Sequence, residues 1–229
     1  MAAQKQLIKE GTLAKNLFNR LKDFWPFGQR DHRVTVKRVT KKEELLDCAN
    51  FFVEVCADKR GYFQNTFYER EQMFQGYLQH RKTVYAAMCK GKIVATLAVM
   101  TEIGEEHYLQ IDDLFPEARE YMRGGRAQIT NLAARPNQCG EKVFLPLMSE
   151  AMLQILASGN RNLQIMINPR HRVWYERKLG FRTLAGGEVR EHSHLKQAPA
   201  IGMYFNMDWC STNQFISRRL LQHVLLLGS

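Results

Sequence analysis

Apolar positions in the first half of the chain change spacing several times, and each spacing predicts a different kind of element. Apolar and polar residues alternate where a strand is half-buried, whereas apolar residues three and four apart mark one face of a helix. The predicted elements, in chain order, are a strand over 33–39, helices over 41–55 and 67–81, and a hairpin of 84–88 and 93–100. The hairpin is predicted because Lys90-Gly91-Lys92 separates two apolar runs.

The second half continues with strands and helices in alternation. Residues 109–126 have mixed helical and loop character. The elements predicted after it are a central strand over 127–134, a helix over 144–157, a strand over 163–167, a helix over 170–179 and a last strand over 200–207. This order predicts a mixed, mostly antiparallel sheet flanked by helices, an α/β chain of the α+β type. A chain of 229 residues is long enough for one good core.

Both ends of the chain predict amphipathic helices. Residues 4–25 carry apolar and aromatic side chains on one side and Lys and Arg on the other, and residues 211–227 repeat a helical apolar spacing. The first helix either docks on the core, which we favour, or lies in a membrane interface. The predicted division is therefore a basic helix in 1–30, a main domain in 31–210 and a terminal helix in 211–229.

Charge narrows the partners without selecting one. The net charge is +10, and residues 1–42 hold 11 Lys plus Arg against 3 Asp plus Glu. A basic surface favours an acidic protein, anionic lipid or nucleic acid. No motif for nucleic-acid binding accompanies the charge, which makes nucleic acid the least favoured of the three.

Cysteine and apolar patterns point to a reducing compartment. The five cysteines are scattered and contain no Cys-x-x-Cys pair, so neither a disulfide framework nor a metal site is predicted. We see no secretory signal and no apolar run that approaches a membrane span. We therefore expect a cytoplasmic protein, with peripheral contact at an anionic inner membrane as the alternative.

The segment from Asn168 to Phe181 carries the strongest chemical signal. It follows an apolar strand, begins with Pro169, contains Trp174-Tyr175 and ends in Leu-Gly-Phe. A strand, a short helix of this kind and a further strand resemble the closing half of a GNAT-type N-acyltransferase. In that fold the helix tyrosine often lies beside the thioester sulfur of the acyl donor.

Further motifs are similar to one branch of that superfamily, the long-chain N-acyl amino acid synthases of the FeeM type, which are related to acyl-homoserine lactone synthases. These motifs, which match in order over about 50–208, are Arg60-Gly61-Tyr62, the segment 109–115, Gly125-Arg126, Pro169-Arg170-His171 and the stretch 197–208 with its Ala-Pro-Ala. The resemblance implies transfer of an acyl group from acyl carrier protein or acyl-CoA to an amine. It implies no permanently bound cofactor and no metal.

The resemblance also assigns a donor site. In this fold a central strand splays from its neighbour and its amides pair with the pantetheine arm, which assigns Leu132, Ala133 and Ala134. The loop 135–142, with Gly140 and Lys142, takes the place of the pyrophosphate cradle at a helix start. Only Gly140 occupies a glycine position of the usual pattern. The missing glycines favour a donor without a nucleotide, such as acyl carrier protein.

The catalytic positions depart from the family in one place. Gln128 stands where the family usually has a glutamate, and an amide cannot remove a proton from the attacking amine. Glu102 and His171 are the candidate substitutes, with a helix-start role for His171 as the alternative. Tyr175 is the candidate donor of a hydrogen bond or proton to the leaving thiolate.

Substrate contacts are assigned with alternatives. Arg60 and Arg170 could bind the carboxylate of an amino acid acceptor, or be surface arginines. The resemblance places Tyr62, Arg126 and Asn131 at substrate-binding positions. Of Asp112 and Asp113, one is expected at a family position and the other in solvent. The alternatives to an N-acyl amino acid synthase are an acyl-homoserine lactone-type synthase, which would use S-adenosylmethionine, and a non-catalytic acyl-binding or membrane-associated protein on the same scaffold.

Overall fold

The computed structural model describes most of the chain between the two termini. The described ranges are 34–59, 67–78, 82–102, 108–120, 125–135, 140–192 and 198–206. The predicted terminal helices, and Arg60 and Tyr62, lie outside them.

Eight strands in the described residues form one mixed sheet. The strands are β1 (Val34–Arg38), β2 (Lys82–Cys89), β3 (Lys92–Thr101), β4 (Arg126–Ala134), β5 (Asn162–Ile167), β6 (Arg182–Thr183), β7 (Val189–Glu191) and β8 (Pro199–Asn206). The order is β1-β2-β3-β4-β5-β8-β6, with β7 also paired to β8. Only β4 and β5 run parallel; the other neighbours are antiparallel. The predicted mixed, mostly antiparallel sheet is confirmed.

Helices cover both faces of this sheet. They are α1 (Lys42–Val53), which continues into a π-helical turn (Glu54–Lys59), α2 (Phe67–Tyr77) and α3 (Gly140–Ala157). A broken helical segment, called here segment 169–179, joins a 3₁₀ turn (Pro169–His171), one α turn (Arg172–Trp174) and a π turn (Tyr175–Leu179). Among the described helices, none has both the length and the apolar character needed to cross a bilayer.

Alternation along the strands sends side chains to two separate cores. On one face, called the α3 face, Ala127, Ile129 and Leu163 pack with Leu147 and Ile155 of α3. On the other, the α2 face, the strands contact α1 and α2 through a cluster of Cys48, Ala49, Tyr77, Val84, Ala86 and Ala98. Because neighbouring strand residues point to opposite faces, one sheet supports both cores.

A third cluster completes the α2 face. Two 3₁₀ turns (Gln110–Asp113 and Pro116–Arg119) lie in segment 108–120, which packs Leu109, Ile111 and Phe115 beside Met100. Gly202 of β8 allows a close approach here, because a Cβ at that position would lie 3.0 Å from the Phe115 ring and from Leu184. The segment therefore sits directly against the sheet.

The predicted elements are present with shifted ends. The hairpin strands are longer than predicted, α2 ends at Tyr77 rather than at residue 81, and α3 begins four residues earlier than predicted. The helix predicted over 170–179 is present from Pro169 to Leu179, but it consists of a 3₁₀ turn, a single α turn and a π turn. The short strands β6 and β7 were not predicted, because two or three residues carry too little alternation to be recognised.

Candidate active site

The central strand β4 separates from β5 halfway along its length. The β4–β5 ladder runs from Arg126 to Ile129, while β5 continues to Ile167 and pairs there with β8. Beyond Ile129, β4 carries a bulge, because Leu97 of β3 faces two β4 residues instead of one. Asn131 lies in this bulge with a φ of 51°, in the left-handed region. A bulge bends its strand, so the gap between β4 and β5 opens at this point.

The predicted donor-binding residues lie along this gap. Leu132, Ala133 and Ala134 all follow the bulge, in the part of β4 that is not laddered to β5. Ala133 also packs on the cluster formed by α1, its π turn and α2, which includes Phe51, Val53, Val55 and Met73. The gap is therefore bordered by apolar side chains on the α2 face.

A helix starts close to the open end of the gap. β4 ends at Ala134 and α3 begins at Gly140, so five residues separate the strand from the positive end of the α3 dipole. Residues 136–139 and the side chain of Lys142 lie outside the described parts. The predicted anion-binding role of this loop stays a prediction.

A buried ion-pair network lies beside β4 on the α2 face. Arg126 is 3% exposed and donates to Glu102 Oε1 (2.5 Å), Asp112 Oδ1 (2.8 Å) and Asp112 Oδ2 (3.0 Å). Arg119 adds a bond from the rim to Asp112 Oδ2 at 3.0 Å. The paired carboxylates compensate the cost of burying the guanidinium.

This network sets the ionisation of Asp112. Burial by itself would raise the pKa of the Asp112 carboxyl, but hydrogen bonds from Arg126, the Leu109 amide and Arg119 outweigh burial and hold it below its usual value. The neighbouring Asp113 is exposed and accepts a bond from Tyr108. The prediction that one of the two aspartates is solvated is confirmed for Asp113, and the family position assigned to the other stays a prediction.

Two of the predicted site residues thus have structural partners. Glu102, a candidate base, accepts bonds from both the backbone and the side chain of Arg126. Arg126, a candidate substrate contact, has its guanidinium directed to two carboxylates. Their assignments in catalysis stay predictions.

Gln128 holds segment 108–120 against the sheet. It is 1% exposed, and its Oε1 accepts the Ile111 amide at 3.0 Å. Its neighbour across the ladder, Gln164, donates to the Ala118 carbonyl at 3.1 Å. The Gln128 side chain is therefore a structural anchor for the 3₁₀ turns.

Tyr175 lies on the opposite, α3 face of the sheet. It opens the π turn of segment 169–179 and is 5% exposed. Its ring packs edge-on against Phe144, Trp174 and Phe181, with centroids 5.2 to 6.0 Å apart. Phe144 belongs to the first turns of α3, so the tyrosine ring contacts the helix that starts at the open end of the gap.

His171 and Arg170 are exposed at the start of segment 169–179. Arg170 Nε donates to His171 Nε2 at 3.1 Å, and Asn168 caps the turn by accepting the Arg170 amide. The structure thus keeps them away from the buried cluster of Glu102, Arg126 and Gln128. Within the described ranges, no group of three or more His, Cys, Asp or Glu is placed to hold a metal ion.

One residue near the bulge was missed by sequence reasoning. Lys82 is the first residue of β2 and its Nζ lies 3.3 Å from Asn131 Oδ1. The predicted strand began at Val84, because Lys82 and Thr83 interrupt the apolar run. A strand extended by two residues would have placed Lys82 on the same face as Val84.

The family is decided by a profile match. The profile described as N-acyl amino acid synthase FeeM matches residues 58–206. The chain belongs to the FeeM family. It is therefore an acyltransferase, and its mixed, mostly antiparallel sheet flanked by helices is that of the GNAT fold.

Solved structures agree on the fold. FeeM, an N-acyl amino acid synthase from uncultured soil microbes, superimposes with a TM-score of 0.65 at 18% identity, covering 81% of this chain and 97% of that one. An acyl-CoA N-acyltransferase from Pseudomonas aeruginosa gives 0.51 at 16% identity, with 75% and 97% covered. An acetyltransferase from Streptococcus agalactiae gives 0.51 at 17% identity, with 76% and 99% covered. Comparison with curated protein sequences gives no match.

Proposed function

We propose that this member of the FeeM family moves a long-chain acyl group from acyl carrier protein, or from acyl-CoA, to the amine of an amino acid or similar acceptor. The amine attacks the thioester directly, without an acyl-enzyme. The opening between β4 and β5 beyond Ile129 is the observation that carries the proposal, because it leaves an extended strand edge where a pantetheine arm can pair.

The donor site follows from that opening. Leu132, Ala133 and Ala134 line the β4 side, and the start of α3 at Gly140 supplies a positive helix end for the phosphate of the donor. Only one glycine of the usual pyrophosphate loop is present, which favours a donor without a nucleotide. The net charge of +10 suits an acidic carrier protein.

Tyr175 is proposed to act on the leaving group. Its ring lies between segment 169–179 and α3, the two elements that follow the open ends of β5 and β4. A phenol in this position can donate to the thiolate as the carbon–sulfur bond breaks. The ring contacts hold its direction, so the donation needs no reorganisation.

The acceptor is proposed to be an amino acid bound by arginine. Arg170 is exposed beside the open end of β5, and Arg60 lies outside the described residues. We propose a cytoplasmic enzyme, and the basic segment 1–30, for which the sequence predicts an amphipathic helix, is proposed as the part that would contact an anionic membrane. The terminal segments 1–30 and 211–229 are proposed as additions to the acyltransferase domain in 31–210.

A second function has one observation in its favour. Gln128 replaces the family glutamate and is engaged by the Ile111 amide, so this position supplies no base. A scaffold that binds acyl groups without transferring them would also fit this feature.

Lipid analysis of an expressing host tests these two functions. The chain is expressed in a bacterial host, and lipids are compared by mass spectrometry with those of the host carrying the empty vector. We expect N-acyl amino acids with long chains only where the chain is present. Purified protein that binds tetradecanoyl-acyl carrier protein but releases no thiol from it, with any common amino acid, would instead support the non-catalytic function.

A further inference from the structure

Lys82 lies in the same row of the sheet as the family's glutamate position. It pairs with Met100 of β3, which pairs in turn with Gln128 of β4. Directly paired residues point to the same face, so the three side chains share the α2 face. Two strand spacings, about 10 Å, separate the Lys82 and Gln128 backbones, and an extended lysine covers more than half of that span.

The Lys82 side chain is fixed at the bulge by two neutral acceptors. Nζ donates to the Gly76 carbonyl at 2.5 Å and to Asn131 Oδ1 at 3.3 Å. Asn131 is fixed in turn by the Thr130 hydroxyl at 2.8 Å. A neutral amine that donates both of its hydrogens to these acceptors still has its lone pair, which can accept a proton from a third group.

Within the described residues, no carboxylate is bonded to Lys82. Other charged groups on this face are paired among themselves. Glu102, Asp112, Arg119 and Arg126 form the buried network, Arg135 pairs with Glu54, and Lys37 pairs with Glu44. On α2, Glu71 accepts from Gln75 and is exposed. Burial alone therefore acts on Lys82 and lowers its pKa to about 8. At pH 8 about half of the molecules carry a neutral amine at this position.

We propose that Lys82 is the general base for the attacking amine, in place of the glutamate that Gln128 replaces. This inference rests on the proposed acyl transfer. In this proposal the proton that leaves the acceptor amine goes to Lys82. The Lys82 amine lies beside Asn131, two residues past Ile129, where the gap opens.

The step balances without any further reagent. The acceptor enters as an ammonium ion, and neutral Lys82 takes one of its protons. The freed lone pair forms a bond to the thioester carbonyl carbon, and the carbon–sulfur bond breaks as the tetrahedral intermediate collapses. The leaving thiolate takes the second proton, so the products are an amide, a thiol and a protonated lysine.

Two other roles for Lys82 give different results on substitution. Gly76 lies in the last turn of α2, so Lys82 also caps that helix, and a cation there is favourable. A lysine cation could instead pair with the carboxylate of an acceptor. Both roles need only positive charge, which arginine supplies, whereas a base must lose its proton, which arginine does not do.

The test compares Lys82→Met, Lys82→Arg and a control, Lys92→Met. Lys92 is an exposed lysine on the partner strand of the same hairpin, so its loss changes the net charge equally. Purified proteins are assayed between pH 6.5 and 9.5 by thiol release from tetradecanoyl-CoA. The acceptor is the common amino acid that gives the most product with the wild type. Thermal unfolding confirms that each variant is folded.

We expect both Lys82 variants to lose about 100-fold or more in kcat, with donor KM changed less than about threefold. The rise of wild-type kcat/KM that levels near pH 8 should disappear in both, and Lys92→Met should keep the wild-type profile. If Lys82→Met does not fold, Lys82→Arg alone decides, because it keeps the charge at the helix end.

Three results would overturn the inference. Lys82→Arg with near wild-type kcat and pH profile would assign a charge or capping role. A rise in acceptor KM alone, restored by arginine, would assign carboxylate binding. A wild-type protein that transfers no acyl group with any donor or acceptor would remove the proposed function itself, and this inference with it.

Discussion

Lys82 is a partly buried cation whose hydrogen-bond acceptors are neutral oxygens. Burying its charge lowers the free energy of unfolding of the protein. Because its folded pKa is about 8, below the usual value near 10.4, the folded state binds fewer protons than the unfolded state between those values. The free energy of unfolding then rises with pH through this window. Below pH 8 Lys82 is charged in both the folded and the unfolded state, so its burial lowers the free energy of unfolding by an amount that does not change with pH.

Lys82→Met is therefore expected to stabilise the protein at pH 7. The gain should be on the order of 1–3 kcal/mol, since methionine fills the space without charge, and it should shrink as pH rises from 8 to 10.5. Urea unfolding across this range measures it. If the variant is instead less stable at pH 7, the hydrogen bonds of Lys82 to Gly76 and Asn131 stabilise the protein by more than the burial of its charge destabilises it.

Tyr175 also combines burial with a polar group, but here the ring has the structural role. Tyr175→Phe keeps the edge-on contacts with Phe144, Trp174 and Phe181, so stability should change little. We expect kcat to fall about 100-fold, with donor KM nearly unchanged, because the phenol acts only as charge develops on sulfur. Steady-state kinetics with tetradecanoyl-CoA measures both.

The matched control for Tyr175 is Tyr85→Phe. Tyr85 belongs to the same buried cluster, and its hydroxyl makes one long bond of 3.4 Å to Gln154. This variant should retain nearly full activity. Equal losses in the two variants would assign the effect to packing and not to the leaving group.

At the scale of elements, segment 108–120 is attached to the sheet by polar groups as much as by apolar ones. Asp112 joins the segment to Arg126 of β4, and Gln128 and Gln164 hold the backbone of the two 3₁₀ turns. Arg190 of β7 adds a bond to the Leu114 carbonyl at 2.8 Å. The segment thus packs on part of the α2 face although it forms only two short 3₁₀ turns and few backbone hydrogen bonds of its own.

Asp112→Asn should destabilise the protein by about 3 kcal/mol at pH 7, because it leaves part of the Arg126 charge without compensation. Since the folded pKa of Asp112 is depressed, its contribution is present above pH 4 and is lost as pH falls through the lower folded value. The difference between variant and wild type should therefore narrow below pH 4. Chemical unfolding at pH 3 to 7 measures this.

Asp113→Asn is the control for that measurement. It removes the adjacent charge, which is exposed, and keeps an acceptor for Tyr108. Its free energy of unfolding should lie within about 0.5 kcal/mol of wild type at every pH. Similar losses in the two aspartate variants would contradict the role given to the buried network.

At the scale of the whole molecule, charge should select the donor. The proposal of an acidic carrier protein predicts that kcat/KM is higher with acyl carrier protein than with acyl-CoA of equal chain length. Raising the salt from about 0.05 to 0.5 M should reduce this ratio, since salt screens exposed charges. Kinetics with both tetradecanoyl donors measures it, and equal or better use of acyl-CoA at low salt would refute the carrier proposal.

Chain length should matter as well. The apolar cluster of α1, its π turn and α2 reaches the gap at Ala133, so a long acyl chain has an apolar surface to follow. Each buried methylene contributes about 0.8 kcal/mol, roughly a fourfold change in kcat/KM per methylene until the surface is filled. Donors from acetyl to tetradecanoyl measure this slope, and a flat response would contradict long-chain specificity.

Local patterns in the sequence were sufficient for the order of elements and for part of the site. Two apolar runs separated by a turn predicted the hairpin, because a strand of this sheet has a core on each face and is therefore apolar along most of its length. The Pro169 start and the Leu-Gly-Phe end bounded the segment that carries Tyr175, and Gly180 adopts the left-handed cap that its position predicted. One of two adjacent aspartates was expected in solvent, and Asp113 is exposed.

Only the tertiary structure decided what surrounds these side chains. The register of β2, β3 and β4 brings Lys82 into the row of Gln128, from positions 46 residues apart in the chain. The bulge at Asn131 and the end of the ladder at Ile129 open the gap, and both depend on how β4 pairs with β3 and β5, which residues distant in the chain decide. Hydrophobic spacing determines which face a side chain takes; long-range pairing determines its neighbours, and with them its charge state and its chemistry.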